Sequence, residues 1–138
     1  MPQHPPRCDK KSYNGREYYC SMELAIMMIG GKWKPIIIWL LGAHGTVRFG
    51  ELRRLMPNVS QKMLTQQLRE LEADGLVLRQ AHPENPPRVD YSLTSQGATL
   101  IPVLEHLHAW AQDMERRAPG ATVTSVAPAP GLPAGTPP

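Results

Sequence analysis

A mainly α-helical domain with one small pair of β strands is what this sequence predicts, and three observations carry that prediction. Between Cys20 and Val77, apolar residues recur at helical spacing in four successive segments, each closed by glycine or proline. The period then changes to two, because in "RVDYSL" Val89, Tyr91 and Leu93 alternate with Asp90 and Ser92. Last comes a helical stripe of Leu100, Leu104, Leu107, Ala111 and Met114.

The elements follow in order. Residues 1–19 are polar and without periodicity, which predicts a flexible N-terminal arm. "CSMELAIMMIGG" is a short helix ended by Gly30 and Gly31. "KWKPIIIWLLG" is a second helix, with Pro35 tolerated in its first turn and Gly42 as its terminator. After the turn "AHGTVRF", a third helix "GELRRLM" stops at Pro57. Ser60 caps the fourth, "SQKMLTQQLRELEADGLV", with Val59 and Leu64 spaced as a hydrophobic staple and Gly75 at its end. "LVLRQA" and "RVDYSL" are strands, and the three prolines nearby place "HPENPP" at the tip between them. Thr94 or Ser95 then caps a single long helix reaching about Arg117. Residues 118–138 are largely Ala, Pro and Gly with almost nothing to bury, and read as a disordered tail. The folded domain is therefore expected over residues 20–117.

Composition narrows the function. A chain of 138 residues supports one domain with a real core, and its net charge of +3 permits a nucleic-acid partner without requiring one. The distribution says more: between Gly45 and Arg69 stand Arg48, Arg53, Arg54, Lys62 and Arg69 against the lone acid Glu51. Two cysteines, Cys8 and Cys20, are too few for a disulfide scaffold. The apolar run "IIIWLL" falls far short of the roughly 20 residues a membrane span needs. No signal-peptide pattern is seen, so a cytoplasmic protein with reduced thiols and no membrane partner is expected. An enzyme is disfavoured. "GGK" at Gly30–Lys32 lacks the spacing of a phosphate loop, and no catalytic constellation stands out. His106 and His108 are two apart on a helix and point in different directions, a poor metal pair. Neither metal nor cofactor is expected.

The third and fourth helices, joined by a turn of about three residues, make a helix-turn-helix, and the strand pair after them makes a wing. In such an arrangement the second helix enters the DNA major groove. Its outer face carries suitable groups. Gln61 and Gln66 match adenine edges, Lys62 and Arg69 match guanine edges or phosphates, and Thr65 matches either. Ser60 and the free amides at the helix start suit a phosphate, and Arg88 in the wing is placed for the minor groove or backbone. The winged helix-turn-helix thus predicts a double-stranded DNA operator as partner. A winged-helix module that binds protein instead is the rival reading.

"GGKWKPIIIWLL", "RFGELRRLMPNVSQKMLTQQLRELEADGLV" and "PPRVDYSLTSQG" resemble the HxlR-type regulators, a bacterial group of winged helix-turn-helix proteins related to the MarR class. The resemblance covers about Cys20–Trp110 and implies a dimeric transcription regulator with the "SQKMLTQQLREL" helix as reader. Asp90 stands where Glu is more usual, and the tail after Arg117 has no counterpart.

Two further expectations concern assembly and signal. The first helix has little polar face, and the last carries a stripe wider than a small core needs. Dimerisation through these N- and C-terminal helices is expected, using Met22, Ile26, Leu104, Leu107, Trp110 and Met114 in a homodimer whose default action is repression. Cys20 opens the first helix, where the helix dipole, helped by Lys32 or Lys34, favours a thiolate. In several HxlR-type regulators a cysteine at this place reacts with oxidants or electrophiles, which makes Cys20 the candidate sensor and Cys8 a candidate resolving thiol. The alternatives are a structural cysteine, or a small aromatic effector held between helices by Trp33, Trp39 and Trp110.

Overall fold

The computed structural model describes residues 9–118 and 120. A hairpin of β1 (Lys11–Tyr13) and β2 (Arg16–Tyr18) leads into α1 (Ser21–Ile29) and α2 (Trp33–His44). A short strand, β3 (Val47–Arg48), precedes α3 (Phe49–Leu55) and α4 (Gln61–Ala73). The wing is β4 (Val77–His82) with β5 (Arg88–Leu93), and α5 (Ser95–Ala98) and α6 (Ile101–Arg117) complete the fold.

α2 forms the axis of the core because its apolar residues run around most of its circumference. Ile37, Ile38 and Leu41 meet Leu52 of α3, Leu64, Leu68 and Leu71 of α4, Val77 of β4 and Leu104 of α6, all buried. At roughly 25 cal/mol per Å² of apolar area, this shared cluster is the main force holding α4 in its orientation. β5 is the middle strand of an antiparallel sheet ordered β3-β5-β4, with Val47 opposite Tyr91 and Val77 opposite Leu93. Val47, Val77 and Tyr91 join the sheet to the core, and β4 lies beside α4.

Four expectations need correction. The predicted flexible arm of residues 1–19 includes a hairpin over Lys11–Tyr18, and Tyr18 is buried. Its turn is Asn14-Gly15, both at positive φ (49° and 76°), which is the backbone that two-residue hairpins require. Cys8 and the rest of residues 1–8 lie outside the described residues, as does the predicted tail apart from Ala118 and Gly120.

Gly42 does not terminate α2. The helix continues to His44 and is closed by Gly45 at φ 80°. A β carbon on Gly42 would run into the Ile101 side chain, so this glycine lets α6 approach α2. The "AHGTVRF" turn contains β3, since two residues suffice to add an edge to β5.

The single helix expected after Thr94 is two. The Thr94 hydroxyl accepts from Gly97 N at 2.9 Å and caps α5, and α6 then restarts at Ile101. Pro102 has no amide hydrogen to continue the ladder to Ala98, and its ring crowds that carbonyl.

Candidate nucleic-acid interface

α4 begins where the sequence places it. Ser60 Oγ accepts from Met63 N at 3.0 Å, and Val59 and Leu64 are both buried at its start. Leu64, Leu68 and Leu71 are at most 1% exposed, which fixes the helix rotation. The opposite face follows from that rotation: Gln61, Lys62, Gln66 and Arg69 are exposed, with Thr65 half-buried between them. Together these five line one shallow groove on the surface. The predicted readers are therefore on one face, which the described residues leave uncovered.

A second recess lies between α3, α4 and the wing, lined by Arg48, Arg54 and Arg88, by Glu51 and Glu84, and by Gln61 and Thr65 among others. Its cations come from the adjoining β3 and α3 and from the distant β5. With three arginines against two glutamates, this concave surface keeps a small basic excess, which suits a phosphate backbone. Arg88 is less free than expected. Its guanidinium lies 3.4 Å from both Glu84 and Asp90, and Asp90 also takes His82 Nε2 at 3.0 Å. These groups brace the wing, so Arg88 is a partly neutralised cation there.

Two of the predicted readers are tethered by neighbours. Arg53 Nη1 donates to Gln61 Oε1 at 3.4 Å. Gln66 Nε2 donates to Glu70 Oε2 at 3.0 Å, and Lys34 Nζ donates to Glu70 Oε1, also at 3.0 Å. Lys34 is 5% exposed, and the hydrogen bond from it, followed by that from Gln66, holds the Glu70 carboxyl below the ordinary glutamate range. No spacing in the sequence marks the Lys34–Glu70 pair. The one signal for it is a lone lysine inside the apolar run "WKPIIIW", which needs an acidic partner once buried.

The expected assembly surface divides in two. Met22, Ile26, Leu107, Trp110 and Met114 are exposed large apolar side chains on α1 and α6. Leu104 is corrected: at 5% exposure it belongs to the chain's own core, on the face of α6 that meets α2. No residue of α1 is buried.

Cys20 is half-buried at the N-cap of α1, and its carbonyl accepts from Glu23 N at 2.8 Å. The expected lysines are engaged elsewhere, Lys34 with Glu70 and Lys32 over the Trp33 ring at 4.7 Å. A cation that does reach this helix start is Lys11, which donates to Ser21 Oγ at 3.2 Å. Among the tryptophans expected to hold an effector, Trp33 and Trp39 pack against the core, and Trp39 stacks on His108 with ring centroids 5.2 Å apart. An apolar recess does exist beside α1, lined instead by Leu24, Met28, Ile29, Leu76 and Leu100. Among the described residues no single helix is long and apolar enough to cross a membrane.

Comparison with known proteins agrees with this geometry. Residues 28–118 match the HxlR-like helix-turn-helix family. The uncharacterized HTH-type transcriptional regulator YtcD of Bacillus subtilis is 47% identical over 114 residues, 83% of this chain and 86% of YtcD. The redox regulator HypR in its oxidized form superposes with a TM-score of 0.64 at 46% identity, over 68% of this chain and 96% of HypR. Quinone-bound YodB from B. subtilis superposes with a TM-score of 0.58 at 38% identity, over 67% of this chain and 97% of YodB.

Proposed function

The chain belongs to the HxlR-like helix-turn-helix family of transcription regulators, which are not enzymes, and on that premise we propose a sequence-specific, cytoplasmic repressor acting as a homodimer on a DNA operator. The observation that carries this reading is the outer face of α4, where Gln61, Lys62, Gln66 and Arg69 are solvent-exposed opposite a leucine face that is fully buried. Ser60 and the first amides of α4 hold a phosphate, Thr65 and the two glutamines meet base edges, and Arg88 stiffens the wing beside the backbone. The exposed apolar residues of α1 and α6 join two copies, which sets two reading helices about 34 Å apart on successive major grooves. A dimer lying over a promoter then blocks polymerase.

Cys20 is the proposed switch. It opens α1, one of the two helices assigned to the dimer contact, so oxidation or electrophile addition there changes how the two copies are joined. Similarity to a redox regulator and to a quinone-bound regulator supports this choice of signal. A second reading, a small apolar effector, is favoured by the recess beside α1. Gel shifts on the intergenic DNA beside its own gene, with and without diamide or a quinone, test the proposal. The wild type should release DNA on treatment and Cys20→Ser should not. An equal response from both proteins would remove the thiol switch and leave the effector reading.

A further inference from the structure

We infer that Glu70, locked in place by Lys34, is a positioning residue that fixes which end of the Gln66 amide meets DNA, and so sets the orientation in which a base pair is read. This rests on the reading of α4 as the major-groove helix. A glutamine amide free to turn presents oxygen or nitrogen in either order, and so accepts more than one base edge. Here the order is constrained. A carboxylate only accepts hydrogen bonds and an ammonium only donates them. Lys34 Nζ takes Glu70 Oε1, and the remaining Oε2 at 3.0 Å can hold only the nitrogen end of Gln66. One N–H of Gln66 is used by that bond, which leaves its oxygen and its second N–H side by side. This acceptor–donor pair fits adenine, which offers N6–H and N7 along the groove. Because the pair points one way along α4, it fits adenine on one strand and not the reversed base pair.

The anchor is rigid for a physical reason. Lys34 sits on α2 among core residues, 5% exposed, and its ammonium has to keep an acceptor there. Glu70 in turn is four residues beyond Gln66, one helical turn along the same face. The core axis is thereby connected to a base-reading group through one carboxylate.

Selection from a library of duplexes with a randomised centre, followed by sequencing, tests the inference on the full chain. The wild type should enrich adenine in one orientation at one position. In Glu70→Gln, Lys34 still claims the side-chain oxygen, so the new amide nitrogen faces Gln66 and turns the Gln66 oxygen inward. In Lys34→Met with Glu70→Met, the anchor is gone and no buried charge is left unpaired. Both variants should lose about tenfold of that adenine preference, the size of one bidentate contact, with the salt dependence of binding little changed, and a cooperative melt shows that each variant is folded. Retention of the wild-type preference in either folded variant overturns the inference. A wild type that enriches no sequence and binds independently of salt overturns the DNA reading itself.

Discussion

Arg16 of the N-terminal hairpin lies 3.0 Å from Asp74, the residue that closes α4 and is almost fully buried. The hairpin is therefore pinned to the end of α4. A second tether runs from Gln96 Nε2 to the Tyr13 hydroxyl at 3.2 Å. The contact to Asp74 is chiefly one of charge, because Arg16 Nη1 and Asp74 Oδ2 find no aligned hydrogen-bond partner among the described residues. Arg16→Ala leaves a buried carboxylate without its cation, for which a loss of about 3 kcal/mol is expected, the lower end for broken buried pairs. Urea unfolding measures it, and a loss within error of zero would show that the hairpin is not fastened there.

Acid should loosen the contact between α2 and α4. The Glu70 carboxyl is depressed below its ordinary range by Lys34 and then Gln66. A group whose folded pKa is lowered contributes stability that is complete above its unfolded value, about 4.3 for glutamate, and is lost as pH falls through the folded value. The melting temperature of the wild type should thus fall more steeply below about pH 5 than that of Lys34→Met with Glu70→Met. The Glu70 side chain is 38% exposed, so water screens the pair and the difference is modest. Parallel curves for the two proteins would contradict the assignment.

Phosphate and base contacts should separate by salt. Lys62→Ala or Arg69→Ala weakens binding to all duplexes and reduces the slope of log affinity against log salt by about 0.9 for each phosphate no longer neutralised. Gln61→Ala instead leaves the slope unchanged and relaxes sequence preference. Fluorescence anisotropy titrations across a salt series distinguish the two behaviours.

The two apolar faces of α6 should respond differently to mutation. Leu104→Ala removes a core side chain and should cost about 2–5 kcal/mol in unfolding free energy. Leu107→Asp alters a side chain that is 54% exposed, so it should spare the fold of each chain while splitting the dimer. Analytical ultracentrifugation combined with melting curves checks both, and a Leu107→Asp protein of unchanged mass would move the interface elsewhere.

Local chemistry makes much of this molecule legible. Ser60 as cap, Val59 and Leu64 as staple, Gly75 as terminator and the alternation from Val89 to Leu93 all express rules that act over a few residues. They set α4 and the wing, and with them the outward face of Lys62, Gln66 and Arg69. The Asn14-Gly15 hairpin is a local signal of the same kind, masked by the polar composition around it, which reads as an arm. Pro102 likewise marks the break between α5 and α6 in plain sight.

The amino-acid order thus settles α4 and the wing strands, in type and in the rotation of α4, because apolar period and capping depend only on near neighbours. Tertiary structure alone decided which distant residues meet. Lys34 finding Glu70, Arg16 finding Asp74, Gly42 admitting Ile101 and Leu104 turning to the core depend on how helices cross. A buried charge or a close backbone approach is resolved only by a partner that folding brings across the chain, and no spacing in the sequence names that partner.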